Sequence, residues 1–313
     1  MTDELTQPGR HGRIYDVGYR PFEGEYQGRG SALAGLIWDD VKRALGIKQS
    51  GRYKVILIVL VAIEAALLAT QVFASQLMED MATQQGVMGA QFNPYSVLIG
   101  NVQFLLIFFS ALVAPMLICT DRRYGVYPLY LSRPIHAYDY LLAKGAAIFG
   151  VLLAVTLGPA LVLLGAKVVL ANEPARYLTD HLRDVGALFG SSVLLALFYA
   201  SLAMAVSSLT ANRGYAAGGL IGGLMLLSFI PALLFLITQD AWFTLVDVSS
   251  AAGYVKDALF GTLQAIQAPF QMDGESRMIS FEPLSPWIYA AETAVLIVLS
   301  WAVIWFQYRR EVR

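Results

Sequence analysis

The chain has 313 residues, of which 57% are hydrophobic and only 14% charged, with a mean hydropathy of +0.57. Soluble domains carry about a quarter charged residues, so this composition excludes an ordinary water-soluble enzyme and assigns the chain to the integral membrane class. Lys+Arg number 22 against 23 Asp+Glu, which leaves no global basic field to recruit nucleic acid, and one cysteine with three histidines cannot supply a disulfide framework or a zinc cluster.

Residues 1–30 form a cytoplasmic N-terminal segment rich in glycine, proline and charge, with the run Tyr15-Asp16-Val17-Gly18-Tyr19-Arg20-Pro21-Phe22. A disordered tail and an aromatic segment that docks on a partner are both compatible with it. Residues 31–54 read as an interfacial amphipathic helix and a linker. Leu33, Ile37, Val41 and Leu45 recur every fourth position, while Asp39, Asp40, Lys42 and Arg43 occupy other faces and Trp38 suits headgroup depth. The competing reading packs this helix on the protein's own cytosolic surface.

Residues 55–313 then carry six apolar stretches, near 55–73, 97–119, 145–166, 185–208, 214–238 and 288–306, each close to the roughly 20 residues a helix needs to span a bilayer. The third can continue past Lys167 to Leu170 if the lysine snorkels. Nothing alternates in ten-residue blocks, so the fold is all-α and not a barrel. The first stretch follows a long polar segment without a small-residue cleavage site and reads as an uncleaved anchor. Glu64 lies about 15 Å along it from Lys54, near mid-membrane, where a charged acid costs roughly 2.5–3.5 kcal/mol. Glu64 is therefore either a pathway residue facing a cavity or a structural acid that is protonated or hydrogen-bonded. Cys119, at the inner end of span two, is a packing thiol.

In span five, Gly214, Gly218 and Gly222 repeat every fourth residue, a spacing that suits either a dimer face or close packing within one subunit. The segment 239–287 is too long for a passive hairpin. Val255, Leu259, Leu263 and Ile266 mark a helix ending near Pro269, which is an outer cap, a dip into the membrane or a plain surface helix. Glu292 lies just inside span six, within reach of the outer interface.

Seventeen of the 22 Lys/Arg fall in 1–54, 120–144, 209–213 and the tail after 306, and five in 74–96, 167–184 and 239–287. The positive-inside rule makes the first set cytoplasmic, with both termini inside a plasma membrane crossed six times. No G-x-x-x-x-G-K-[ST], H-E-x-x-H or G-x-S-x-G occurs, so neither intrinsic catalysis nor a bound cofactor is expected.

The inner loop 120–144 is the most informative segment. Asp121 opens it, where it reads as the acid at the start of a short amphipathic element. Arg122, Arg123, Tyr124, Gly125, Tyr127, Leu129 and Leu131 follow, then Ser132-Arg133-Pro134, which ends the element, and Lys144 opens span three. A solvated hairpin with arginines near lipid phosphates would not call for so many tyrosines.

With these residues the chain resembles the ABC-2 type permeases, the membrane subunits of a class of ATP-binding-cassette transporters. The matching positions are Asp121, Gly125, Leu129, Leu131, Ser132-Arg133-Pro134 and Lys144. His136-Ala137 and Ala143 depart from the family pattern, and Tyr19-Arg20-Pro21 is similar to the leader of a bacterial subgroup. The resemblance implies a type V exporter-like transmembrane domain, with the loop from Asp121 to Pro134 as the docking element for a separate ATPase. Two ATPase copies would bind ATP and Mg, two copies of this chain would form the pathway, and an apolar or amphipathic substrate would be exported. Two other functions compete: an ion-coupled secondary carrier using Glu64, and a non-transporting scaffold or enzyme subunit.

Overall fold

The computed structural model describes residues 28–47, 51–85, 93–126, 136–171, 173–238, 241–263, 266–272, 275–281 and 283–312. A first helix, α1 (Arg29–Ala44), precedes α2 (Gly51–Gln85), α3 (Pro94–Tyr124) and α4 (Ala137–Leu170). The short α5 (Pro174–Asp180) leads into α6 (Leu182–Leu209) and α7 (Arg213–Thr238). A 3-10 turn (Ala241–Val246), α8 (Ala251–Phe260), strands β1 (Ile266–Met272) and β2 (Glu275–Phe281), and α9 (Pro286–Val312) complete the order. Among the described residues, α2, α3, α4, α6, α7 and α9 are long and apolar enough to cross a membrane. Each matches one expected span, and α4 does run through Lys167 to Leu170.

The spans divide into a centre and a shell. In the apolar window of α3, 72% of residues are buried, against 11% in α2. α3 and α6 pack on each other and on α4, joining Leu106, Val113 and Leu117 to Leu195, Phe198 and Ala203 in one core. α2, α7 and α9 turn Val55, Ile58, Phe73, Leu226, Phe229, Val298 and Phe306 outward. An apolar exterior of this kind suits lipid, while backbone groups satisfied within helices meet the demand of a waterless surrounding.

Local signals explain the helix ends. The Asn93 side chain accepts from the Tyr95 and Ser96 amides at 3.0 and 3.3 Å, with Pro94 in the first turn of α3. Gly125 ends α3 with φ +61°, a left-handed conformation that favours glycine. His136 caps α4 and Asp139 reaches back to the His136 amide at 2.9 Å, a capping box.

Successive spans run antiparallel, so Arg122, Arg123, Arg213, Arg309 and Arg310 gather at one end, the basic end, together with α1. At the opposite end, the segment after α7 turns back into the bundle. The Ser249 carbonyl accepts from Tyr199 Oη at 2.8 Å and from Gln103 Nε2 at 3.1 Å. Gln103 lies about 14 Å along the 31-residue α3 from Pro94, so this turn sits inside the bundle and not on its rim. α8 climbs back between α6 and α9 with Ala251, Ala252, Gly253, Lys256 and Phe260 buried.

The outer helix is therefore packed between α6 and α9, and its extent differs from the sequence expectation. α8 stops at Gly261 (φ +70°), well before Pro269, and Ile266 lies in β1, paired with Phe281 of β2. Four-residue spacing of apolar groups continues by coincidence into a strand. Met272 pairs with Glu275 where the two antiparallel strands meet.

Candidate functional site

The basic end holds a buried cluster of charges contributed by three elements. α1 packs on α4 and on the end of α3, with Ile37 and Val41 against the core and Ala44 fully buried. This places Asp40 inside. Lys144, in the second turn of α4 and 1% exposed, meets Asp40 Oδ1 and Asp121 Oδ2, each at 2.7 Å. Tyr140 Oη donates to Asp121 Oδ2 at 2.8 Å, and Arg43 Nη1 stands 3.7 Å from Asp121 Oδ1. Two acids and two bases balance. Burial pushes the Asp40 carboxyl above the usual carboxylate range against the opposing pull of Lys144.

A second tie holds the other end of α1. Arg29 grips Asp139 with both arms, Nη2 to Oδ1 at 2.6 Å and Nε to Oδ2 at 3.0 Å, and donates to Tyr138 Oη at 2.8 Å. The Tyr53 hydroxyl of α2 donates to the Ala44 carbonyl at 2.6 Å. α1 is therefore fastened along its length to the cytoplasm-facing candidates of the sequence, the end of span two and the start of span three. A small cavity of about 20 Å³ lies beside Lys144, bordered by Ile118, Tyr140, Ser208, Ile304 and Tyr308.

Several sequence expectations change here. Asp121 does not start an element; it sits in the last turn of α3, which runs on to Tyr124. The apolar run continues helically through Cys119, and Arg122 and Arg123 in that last turn favour the negative end of the helix dipole. An acid at that end is held instead by Lys144 and Arg43. Asp40, grouped by its chemistry with a water-facing side of α1, is a buried anchor, so the packing of α1 on the protein's own surface is realised. Trp38, Leu45 and Ile47 stay exposed beside it.

Of the other candidates, Arg122 donates to the Ser208 carbonyl of α6, while Arg123 and Tyr124 are exposed. Gly125 supplies the left-handed turn that releases the chain from α3. Tyr127, Leu129, Leu131, Ser132, Arg133 and Pro134 lie outside the described residues. Sequence reasoning paired neither Asp121 with Lys144 nor Arg29 with Asp139. The signals were present: an acid and a lysine flanking one loop, and an acid three residues after His136.

Away from the basic end, Glu64 is buried on the face of α2 that also buries Gln71 and Ser75, and its Oε1 has no hydrogen-bond partner. Both carboxylate oxygens of Glu292 are likewise buried without a hydrogen bond. Gly214 and Gly218 are exposed, and a Cβ at Gly218 or Gly222 would meet nothing within 4 Å, so close packing within the subunit is not their use. The buried side of α7 carries Ala216, Leu220 and Leu224 instead.

A profile of the ABC-2 family transporter proteins matches residues 51–305, from the first residue of α2 into the last span. The chain belongs to the ABC-2 transporter family. As an ABC-2 family member it is a multi-pass membrane protein and a permease component of an ATP-binding-cassette transporter. No individual curated protein matches it significantly. α1, with its Arg29 and Asp40 anchors, lies before the matched region, so the clamp joins the family domain to a preceding helix.

Proposed function

We propose that this chain is the export permease of an ABC transporter whose ATPase is a separate subunit docking at the basic end. The observation that carries the reading is the Asp40–Lys144–Asp121 cluster. It ties α1, the end of α3 and the start of α4 into one body at the two roots of the loop 127–135. A push on that loop, or on exposed Arg123 and Tyr124, is then transmitted to the two spans as a unit. Asp121 and Lys144 hold the ends of α3 and α4 together from inside, while the outward groups form the docking surface.

Two copies of the chain, meeting through the open Gly214–Gly218–Gly222 face of α7, enclose the pathway, and two ATPase copies bind ATP and Mg. The basic end is cytosolic by the positive-inside rule, with both termini there and α8 outside. Few charges face the spans, which suits an apolar or amphipathic substrate. The chain, purified gently from its native membrane through a tag after Arg313, is expected to carry an ABC ATPase in equal amount and to hydrolyse ATP. Arg123→Glu with Tyr124→Ala should lower that yield several-fold without loss of folded permease. Recovery of an intact, monodisperse permease with no ATPase under any gentle condition would refute the reading.

A further inference from the structure

An open apolar groove of about 200 Å³ lies on the outer face of the bundle between α4, α6 and α9. Leu142, Ala146 and Phe149 of α4 form one side, Leu197 and Ala200 of α6 another, and Trp301 of α9 the third. The Ser201 hydroxyl in its wall turns back to the Leu197 carbonyl at 2.8 Å, offering nothing to a ligand. Gly145 makes the wall possible: a Cβ there would stand 3.1 Å from Trp301 Cη2 and 3.4 Å from Met204 Sδ. Its absence seats the Trp301 ring against α4.

Position and charge say what fills it. α4 has 34 residues and overhangs a roughly 30 Å core, so with the core beginning near residue 145, Leu142 lies at its edge and Phe149 about 6 Å inside, in the half nearest the basic end. The medium at that depth is acyl chain. Along α9, Trp301, Trp305 and Arg309 follow at four-residue intervals, which carries one stripe from the groove to the basic end about 12 Å away. The exposed Arg309 guanidinium lies 4.8 Å over the Trp305 ring, and exposed Arg310 adjoins it. Tryptophan belongs at headgroup depth, and a planar guanidinium matches a phosphate with paired donors.

We propose that this groove holds one acyl chain of an anionic membrane phospholipid whose phosphate pairs with Arg309. The lipid fills a notch between three spans that side chains leave open and joins α9 to α4 and α6. That the leaflet is the cytosolic one rests on the orientation proposed above; the binding does not, and it is read without the ATPase.

The full chain, purified in detergent and delipidated, is titrated with dioleoyl phosphatidylglycerol or dioleoyl phosphatidylcholine and examined by native mass spectrometry. One phosphatidylglycerol per chain should be retained, several-fold more tightly than phosphatidylcholine. Arg309→Gln should weaken phosphatidylglycerol roughly five-fold and leave phosphatidylcholine unchanged. Ala146→Phe, at an exposed position on the groove's rim, should abolish retention of both, whereas Val59→Phe on the outer face of α2 should not. Equal retention of the two lipids, or an Ala146→Phe variant that binds as wild type does, overturns the proposal. So does an adduct that proves to be a second copy of the chain, or a lipid expelled on adding ATP to the ATPase complex, which would make it cargo.

Discussion

Lys144 is the residue on which the basic end depends, because it is the cation that Asp40 and Asp121 share inside the protein. A buried ion pair adds little net stability over a well-packed apolar pair, but removing one partner leaves uncompensated charge. Lys144→Met strands two carboxylates and is expected to cost about 3–5 kcal/mol, read as a lowered thermal midpoint in detergent and as poor recovery of folded protein. Asp40→Asn keeps the shape and leaves Lys144 paired with Asp121, so its shift should be far smaller; a larger loss than Lys144→Met would contradict the assignment. The pH dependence has a definite sign. The folded state raises the Asp40 carboxyl above its ordinary 3.8, so it binds that proton more tightly than the unfolded chain does. The stability this contributes is full below 3.8 and is lost as pH rises through the folded value. The thermal midpoint should therefore fall with rising pH across that window, and Asp40→Asn should flatten that component. Glu64 makes a contrast. Its buried Oε1 has no hydrogen-bond partner, and it shares the inward face of α2 with Gln71 and Ser75. Glu64→Gln is expected to assemble normally and preserve ATP-driven transport. An assembled but inactive variant would make Glu64 a coupling acid.

Among the elements, the inward-turned segment packs closely on α3. A Cβ at Gly253 would fall 2.8 Å from the Gln103 amide, so a larger residue there would push that amide off the Ser249 carbonyl it now holds at 3.1 Å. Gly253→Val should destabilise the protein by about 1–3 kcal/mol, and Gln103→Ala in the same chain should restore part of the loss, as differential scanning fluorimetry would report. No recovery in the double variant would place the obstacle elsewhere. The existence and order of the spans were legible because some twenty apolar residues in succession have few other uses. The inward course of 241–263 was not, since contacts such as Tyr199 to the Ser249 carbonyl join residues 50 apart in sequence. The end of α8 was misjudged because Leu263 and Ile266 continue a helical spacing that Gly261 had already broken. At the basic end, Asp121, Gly125 and Lys144 were found through the loop they flank. Asp40 was named only as one of four charges on α1, because periodicity orders a helix's faces by polarity and cannot foresee that a buried lysine on α4 will claim one of them.

At the scale of the whole molecule, the architecture separates two ends by charge. The basic end is clamped by Arg29–Asp139 and Asp40–Lys144–Asp121, and at the opposite end α8 packs between α6 and α9. Between them, α2 and α7 lean on the core with most of their apolar surface turned outward, the disposition expected of spans that meet a second copy or lipid. In the proposed function, force from the ATPase enters at the roots of one loop, where the clamp lies. The most direct test puts a photo-reactive phenylalanine analogue at Tyr124, 71% exposed at the basic end, and separately at Trp242, 59% exposed at the opposite end, in cells that make the complete transporter. Irradiation should join the Tyr124 site to an ATP-binding subunit and leave the Trp242 site free of it. A cross-link to the ATPase from Trp242, or none from Tyr124 in a complex that still transports, would contradict the account.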